Sequence, residues 1–485
     1  MIREAPDLKQ SVCHDKQDNV WIDDLFRTDS KLMRSTAYAG DPPAAAPAGA
    51  DSNPLIRFLD DIFAPKPPSE DIKAQATYDF IIDLAAESIY DPKALGNVNA
   101  LKHKFDGKLH SVDAAIKSAA EALKEAHDPY TKVMTKEEAS RFKQELKGYY
   151  VGIGIKVQPE TFKDGDSLET VRGPLKVNKV LKGTGAEKAG IKPGDIITKI
   201  DDKDIHNMKC IDAANLLAGQ AGTSVKLTIM RDGKPIDISV GRTPIETPSV
   251  EDKDLGNGIA YIKVNDFIAD AMPQSMYKAL FKHQDAKGFV IDLRDNPGGI
   301  VKNALATSSM FISSGNITTS VHRVLSDPEH PLYNTEKYYL TPWFGLDVSF
   351  NTDSWLPTSL DIHGREPLLV GNKPVIILVN GHTASASEMF TGAVHDQSGA
   401  TVVGTRTYGK GIGQSIMPLP GGAALKVTSL RYYTPNGAWL GDANKTRIGI
   451  KPDVVVPDPP AAEKGSDTDA QLKKAVELIQ KGRAN

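Results

Sequence analysis

Three short stretches carry residue types that can do chemistry together: "VIDLRDNPGG" (290–299), "PVIILVNGHTASASEMFTGAV" (374–394) and "ATVVGTRTYGKGIGQ" (400–414). In the second, Ser385 or Ser387 falls where a helix should open after the strand Val375 to Val379. A hydroxyl on a first helical turn lies near free N–H groups and the positive end of the helix dipole. That setting would stabilise the oxyanion formed when the hydroxyl attacks a carbonyl. In the first stretch, Gly298 and Gly299 follow Pro297 and can turn successive N–H groups toward one point. The third supplies Lys410. A nucleophile, oxyanion donors and a base form a set for acyl transfer. To act as a base, Lys410 must be neutral near pH 7, about three units below the ordinary lysine value, worth about 4 kcal/mol. Burial in an apolar, uncharged pocket lowers a lysine in this way. Gln414 can orient the amine without carrying a charge, and Gly409, Gly411 and Gly413 allow the backbone to pack closely around it.

The first two stretches also have an ordinary reading: a turn at Gly298, and a helix cap at Ser385 or Ser387. Other chemistries fit less well. Gly404, Gly409 and Lys410 match G-x-x-x-x-G-K, but Gly411 stands where a hydroxyl should hold magnesium. Pro418 and Pro420, in an alternating stretch, exclude the helix that a phosphate loop needs. Among 11 histidines there is no H-E-x-x-H, and the chain has no G-x-S-x-G elbow. His382 and His395 flank Ser385, so a Ser–His pair is a further arrangement to test. "SRFK" (140–143) matches S-x-x-K only by chance, within a charged helix.

These residues need a frame. The apolar runs "IAYIKV", "GFVIDLR", "PVIILVN" and "ATVVGTR", separated by helix-like segments, predict an α/β core over 244–460 with a partly parallel sheet. In such sheets ligands bind at the carboxyl ends of strands, where all three stretches begin. Upstream, 1–71 is a polar leader with a Pro/Ala/Gly linker, expected to hold little order. Residues 72–146 have helical periodicity, and Thr135 with Glu138 forms a capping box. From 147 to 243, short Val/Ile-rich strands and one short helix, "CIDAANLLAG", predict a β-rich module. A C-terminal helix follows within 461–485.

The chain has 485 residues, enough for several domains, and 40% hydrophobic with 25% charged residues is a soluble globular composition. Its 58 basic and 62 acidic residues, with no long basic run, argue against nucleic-acid or anionic-membrane binding. No stretch reaches the ~18 consecutive apolar residues of a membrane span. Cys13 and Cys210 form neither a metal-ligand spacing nor a disulfide framework. The first residues lack the apolar core of a signal peptide, so the chain is cytoplasmic or an export signal is absent from this sequence.

Taken together, the motifs resemble those of the carboxyl-terminal processing proteases, serine endopeptidases with a Ser–Lys dyad and an embedded PDZ domain. The likeness rests on "HDPYTKVMTKEEASRF", "GYYVGIGIKV", "GAEKAGIKPGDIITKIDDKDI", "VIDLRDNPGG", "TASASE", "TYGKGIGQ", "GIKPDVVVP" and "DAQLKKAVELI", in family order over about 120–480. It implies a multidomain α/β protein: an N-terminal helical region, a PDZ domain, and a protease core of the ClpP/crotonase-like type.

It further implies Ser385 as nucleophile, Lys410 as general base and Gln414 as the residue positioning Lys410. Ala386 with Gly298 or Gly299 would form the oxyanion hole, supported by Glu388. Val151, Gly152, Ile153, Gly154 and Ile155 resemble a PDZ carboxylate-binding loop, with Ile211, Ala214 and Leu217 lining the other groove wall. A dinucleotide G-x-G-x-x-G reading fails at Val157. Arg231 resembles a PDZ arginine that contacts the protease core in the active state. No cofactor or metal is implied; the partners are peptides bound through their C-termini, and the setting is extracytoplasmic, in the cell envelope or periplasm. The chain departs from the pattern at His382 and Thr383 and in an aromatic-rich segment, 332–364, that looks inserted. The helical segments could pair two copies of the chain or pack within one. The rival function classes are a catalytically inactive PDZ scaffold and a nucleotide binder.

Overall fold

Continuous apolar strands must be covered on both faces, and the centre of the protein meets that requirement. In a computed structural model, residues 69–160, 171–324, 331–351, 356–442, 444–460 and 464–482 are described. Most of the expected leader and Trp355 of the inserted-looking segment lie outside them. The described chain forms two compact units: 69–86, 95–134 and 415–427 make one, and the rest makes the other.

The smaller unit is mainly helical. Helix α1 (Glu70–Ser88) buries Ala74, Tyr78, Ile81, Ile82 and Ala85, a stripe at three- and four-residue spacing. The Tyr78 hydroxyl donates to the carbonyl of Leu101 at the end of α2 (Val98–Lys102), 2.6 Å away. Helix α3 (Val112–Leu123) is capped by Ser111, whose hydroxyl accepts from the Ala114 N–H. Strand β1 (Lys132–Met134) closes this unit through residues 424–426.

In the larger unit, α4 (Lys136–Leu146) opens on the expected capping box. Thr135 Oγ1 accepts from Glu138 N, and Glu138 Oε2 accepts from Thr135 N at 2.9 Å. A β-rich module follows: β2 (Tyr149–Gly152), β3 (Ile155–Pro159), β4 (Leu175–Val180), α5 (Gly185–Lys188), β5 (Ile196–Ile200), β6 (Lys203–Asp204), α6 (Cys210–Leu217), β7 (Ser224–Arg231), β8 (Lys234–Gly241) and β9 (Thr243–Glu246). Its sheet runs β3-β4-β5-β7-β8, with β6 paired to β5, so β3 is an edge strand.

The core comprises β10 (Val250–Asp254), β11 (Ile259–Val264), α7 (Met272–Lys282), β12 (Gly288–Asp292), α8 (Val301–Ser309), β13 (Gly315–Val324), β14 (Leu332–Leu340), β15 (Gly345–Asn351), β16 (Ser359–His363), β17 (Val375–Val379), α9 (Ala386–Ser398), β18 (Thr401–Gly404), β19 (Ile412–Pro418), β20 (Ala424–Tyr433), β21 (Val454–Val455) and α10 (Ala470–Lys481). One sheet runs β10-β11-β12-β17-β18-β21. It is parallel from β11 onward, with β10 antiparallel at its edge. Its two faces alternate along each strand. Val290, Ile376, Leu378 and Val403 meet Leu472, Ala475 and Ile479 of α10. Phe289, Ile291, Ile377 and Val379 join the cluster that contains residues of α7, α8 and α9. Each such buried aliphatic or aromatic side chain contributes about 1.5–3 kcal/mol. The apolar stripe of α10 is thus covered within the chain. In the second sheet β20, β13, β14, β15 and β16 pair antiparallel, so 332–340, 345–351 and 359–363 of the inserted-looking segment are regular strands.

Candidate active site

The parallel register puts the ends of β12, β17 and β18 side by side, pairing Asp292 with Leu378 and Val379 with Gly404. The loops leaving these ends are the three stretches singled out in the sequence. The site is therefore a consequence of strand order.

Ser385 follows β17 and caps α9, with φ 57° and ψ −121°. A non-glycine residue in that region costs about 1–3 kcal/mol and persists only when its surroundings enforce it. A strand, a sharp turn and a helix with a strained serine between them make an elbow that presents the side chain outward. It is built here without the G-x-S-x-G sequence.

Two buried side chains enforce the turn. Glu388, one helical turn on, is fully buried. Its Oε2 accepts from the N–H of Ser385 at 2.9 Å and of Lys410 at 2.8 Å. Its Oε1 accepts from Gly409 N at 2.7 Å and Thr407 Oγ1 at 2.6 Å. Burial, the larger effect, pushes this carboxyl up, and the hydrogen bonds from Thr407, Lys410, Gly409 and Ser385 offset it only in part. All four partners donate to its two oxygens. Because one oxygen serves both amides, the nitrogens of Ser385 and Lys410 are no more than about 6 Å apart.

Tyr432, on β20, does the same for the carbonyls. Its hydroxyl contacts the Ser385 oxygen at 2.9 Å and also the Lys410 oxygen. Full burial holds this phenol neutral, its pKa raised well above the ordinary tyrosine value.

The glycine loop docks beside the serine. A β-carbon on Gly298 would stand 2.6 Å from Ala384 O and 2.8 Å from both Ala386 N and Ser385 Cβ, and its φ is +98°. Only glycine fits. The Gly298 N–H donates to Asn296 Oδ1 at 2.9 Å. Among the described residues, the N–H groups of Gly299 and Ala386 have no hydrogen-bond partner. Asn296 fastens this loop further, its carbonyl accepting from Ala384 N and Ser387 Oγ. Of the two candidate serines, Ser387 is therefore buried structure.

Lys410 is half-buried at the start of the chain into β19. Gln414 lies on β19, and its Nε2 is buried with no partner among the described residues. The neighbouring glycines serve close packing elsewhere: a β-carbon on Gly409 would meet Arg447 and Ile448, and one on Gly413 would meet Leu430. The histidines stand apart. His382 is 79% exposed with its ring 3.4 Å from Asp295 Oδ1. His395 lies ten residues beyond Ser385 along the helix, about 15 Å by helical rise.

Arg294, fully buried, holds the glycine loop at its root. It pairs with Asp292 at 2.5 Å and with Asp469, the cap of α10, at 2.7 Å. Tyr261 donates to Asp292 at 2.6 Å.

In the β-rich module, Val151, Gly152, Ile153, Gly154 and Ile155 line a cavity of about 230 Å3 together with Val157 on edge strand β3 and Ala214 and Leu217 of α6. The side chain of Ile211 lies outside the described residues. The N–H groups of Ile153 and Gly154 have no partner among the described residues. Arg231 binds Asp195 through two bonds of 2.7 and 2.6 Å and the Gly190 carbonyl at 2.8 Å, all within this module. The structure does not bring it to the core.

Nothing in the sequence marks Asn296 or Thr407 for the roles they have here, and little marks Tyr432. Their bonds go to main-chain atoms or to residues distant along the chain. An alternating strand ending in two tyrosines was the only hint of Tyr432.

Residues 258–456 match peptidase family S41, and residues 176–231 match a PDZ domain. A carboxy-terminal-processing protease of Bartonella bacilliformis is 32% identical over 360 residues, covering 73% of this chain and 72% of that protein. A probable CtpA-like serine protease of Staphylococcus aureus is 31% identical over 354 residues, and the match spans 73% of this chain but only 62% of that relative. The fold is similar to that of a photosystem II D1 C-terminal processing protease, with a TM-score of 0.50 and 21% identity over 79% of this chain and 93% of the other. No helix among the described residues is long and apolar enough to cross a membrane.

Proposed function

Because the chain belongs to the carboxy-terminal-processing proteases of peptidase family S41, we propose that it is a serine endopeptidase that recognises and cleaves protein C-terminal tails. Lys410, as the neutral amine, takes the proton from Ser385 Oγ while the oxygen attacks the scissile carbonyl. The N–H groups of Ala386 and Gly299 receive the oxyanion, since that of Gly298 is engaged with Asn296. Lys410 then returns the proton to the departing amine, leaving an acyl ester on Ser385. Water, deprotonated by the same lysine, releases the acid. Gln414 orients Lys410.

The tail's terminal carboxylate sits on the amides of 151–155 and its backbone adds beside β3, an open edge. Tail binding there gates the site. The same reading has the protein act outside the cytoplasm, in the cell envelope or periplasm, and homodimers remain part of it; both rest on likeness to the family alone.

The observation that carries the proposal is the single carboxylate of Glu388 joining Ser385, in a strained elbow, to Lys410. An inert scaffold has no use for that strain. The test is cleavage of a peptide with an apolar C-terminus by wild type, Ser385→Ala and Lys410→Ala, with a pH–rate profile. Activity should vanish in both variants, and the wild-type rate should climb as the lysine loses its proton. Undiminished cleavage by either variant removes the mechanism; tail binding without turnover under any condition restores the scaffold reading.

A further inference from the structure

The tail groove has a wall that the β-rich module does not supply. The cavity bounded by Val151–Ile155, Ala214 and Leu217 is also lined by Arg141 and Glu145 of α4, the helix that precedes the module. Arg141 is the only cation among its lining residues and Glu145 the only anion. The loop itself offers backbone N–H groups and apolar side chains. Two amides can orient a carboxylate, but they leave its full charge to be matched elsewhere.

Arg141 is tied to another element lining the groove. Its Nη1 donates to Asn215 Oδ1 on α6 at 3.0 Å, and both residues line the cavity. An amide oxygen is a weak partner for a guanidinium, which binds carboxylates through two parallel N–H bonds. Burial raises the carboxyl of Glu145, one helical turn on, and the Arg141 charge lowers it by less, so the net direction is up. Glu145 also lines a second cavity of about 210 Å3 with Asp266 and Ser249, and no hydrogen bond joins it to Arg141 among the described residues.

We propose that Arg141 is a specificity-determining residue for the free C-terminus. It exchanges Asn215 for the tail's α-carboxylate, so that the anion is held between the Ile153–Gly154 amides and a guanidinium from outside the PDZ domain. The inference rests on the tail-recognition reading above. It means that a free terminal acid is read by helix α4 and the PDZ domain jointly, and that an internal loop lacking the acid is rejected by charge.

The test uses the full chain carrying Ser385→Ala, so that nothing is cut, and a labelled peptide with an apolar C-terminus made as free acid and as C-terminal amide. Affinities are measured by fluorescence anisotropy, with and without Arg141→Met, and with Arg141→Lys as the conservative variant. The free acid should bind about tenfold more tightly than the amide, a step of about 1.4 kcal/mol. Arg141→Met should erase that preference while leaving the amide's affinity unchanged, and Arg141→Lys should restore part of it. Equal losses for acid and amide, or an intact preference, overturn the role of Arg141 alone. If the Ser385→Ala chain with Arg141 intact binds acid and amide equally, tail recognition fails and this inference goes with it. Circular dichroism of each variant checks that the fold is kept.

Discussion

The hydroxyl of Tyr432 lies 2.9 Å from the main-chain oxygen of Ser385, a residue 47 positions earlier in the chain. With its second contact, to the Lys410 carbonyl, it ties β20 to the main chains of both proposed reacting residues. Tyr432→Phe keeps the ring and removes the donor. We expect kcat on a tail peptide to fall about tenfold and KM to shift less than twofold, with about 1 kcal/mol of stability lost. Steady-state kinetics beside urea unfolding would separate the two, and an unaltered kcat would strip Tyr432 of any positioning role.

Glu388→Gln tests the carboxylate. An amide keeps one oxygen and turns the other position into a donor, facing N–H groups that also donate. The variant should unfold with about 2–3 kcal/mol less stability and cleave more than a hundredfold more slowly. Tail binding in the PDZ groove should be untouched. Wild-type turnover in this variant would mean that the shared oxygen does not set the site.

Gly298→Ala places a carbon against Ala384 O, Ala386 N and Ser385 Cβ. Either the loop shifts or the elbow does, and both displace the N–H groups proposed to receive the oxyanion. Cleavage should drop at least a hundredfold while peptide affinity stays level. Normal rates would show that the loop has slack that its packing hides.

Acid should loosen the anchor of that loop. At Asp469, burial raises the carboxyl, but hydrogen bonds from Arg294 and from the N–H groups of Gly465 and Leu472 outweigh it, and the net direction is down. A carboxyl lowered in the folded state contributes stability above its unfolded value, about 3.9, and that contribution is lost as pH falls through the folded value. Wild type should therefore lose urea resistance below about pH 4, and Asp469→Asn should be less stable at pH 7 by about 2 kcal/mol with a flatter acid limb. Parallel acid limbs for the two proteins would contradict the assignment.

What the sequence made legible follows from chemistry that leaves a local mark. Continuous apolar runs announced the buried parallel strands, and so the three strand ends that converge. Thr135 and Glu138 announced a helix start. Ser385, Glu388 and Lys410 stood at spacings with a mechanical meaning. What stayed hidden depends on partners without a side-chain signature. Tyr432 bonds to main-chain oxygens, and Arg141 meets Asn215 across 74 residues. Arg231 had the right residue type, yet it is bound to Asp195, which no local pattern forecasts. The elbow was invisible for a related reason: distant contacts, not neighbouring glycines, hold the serine in its strained conformation.

The bond between Arg294 and Asp469 spans 175 positions, and this imposes an order on biosynthesis. Until α10 has been made and docked, the buried guanidinium beside the glycine loop lacks one of its two carboxylate partners, and its remaining N–H groups go unsatisfied. A nascent chain would thus carry all the proposed reacting groups and still be unable to align them, sparing the unfinished polypeptide from its own hydrolysis. Chains stalled ahead of residue 469 should be inert toward tail peptides, and recover when the missing helix is supplied in trans.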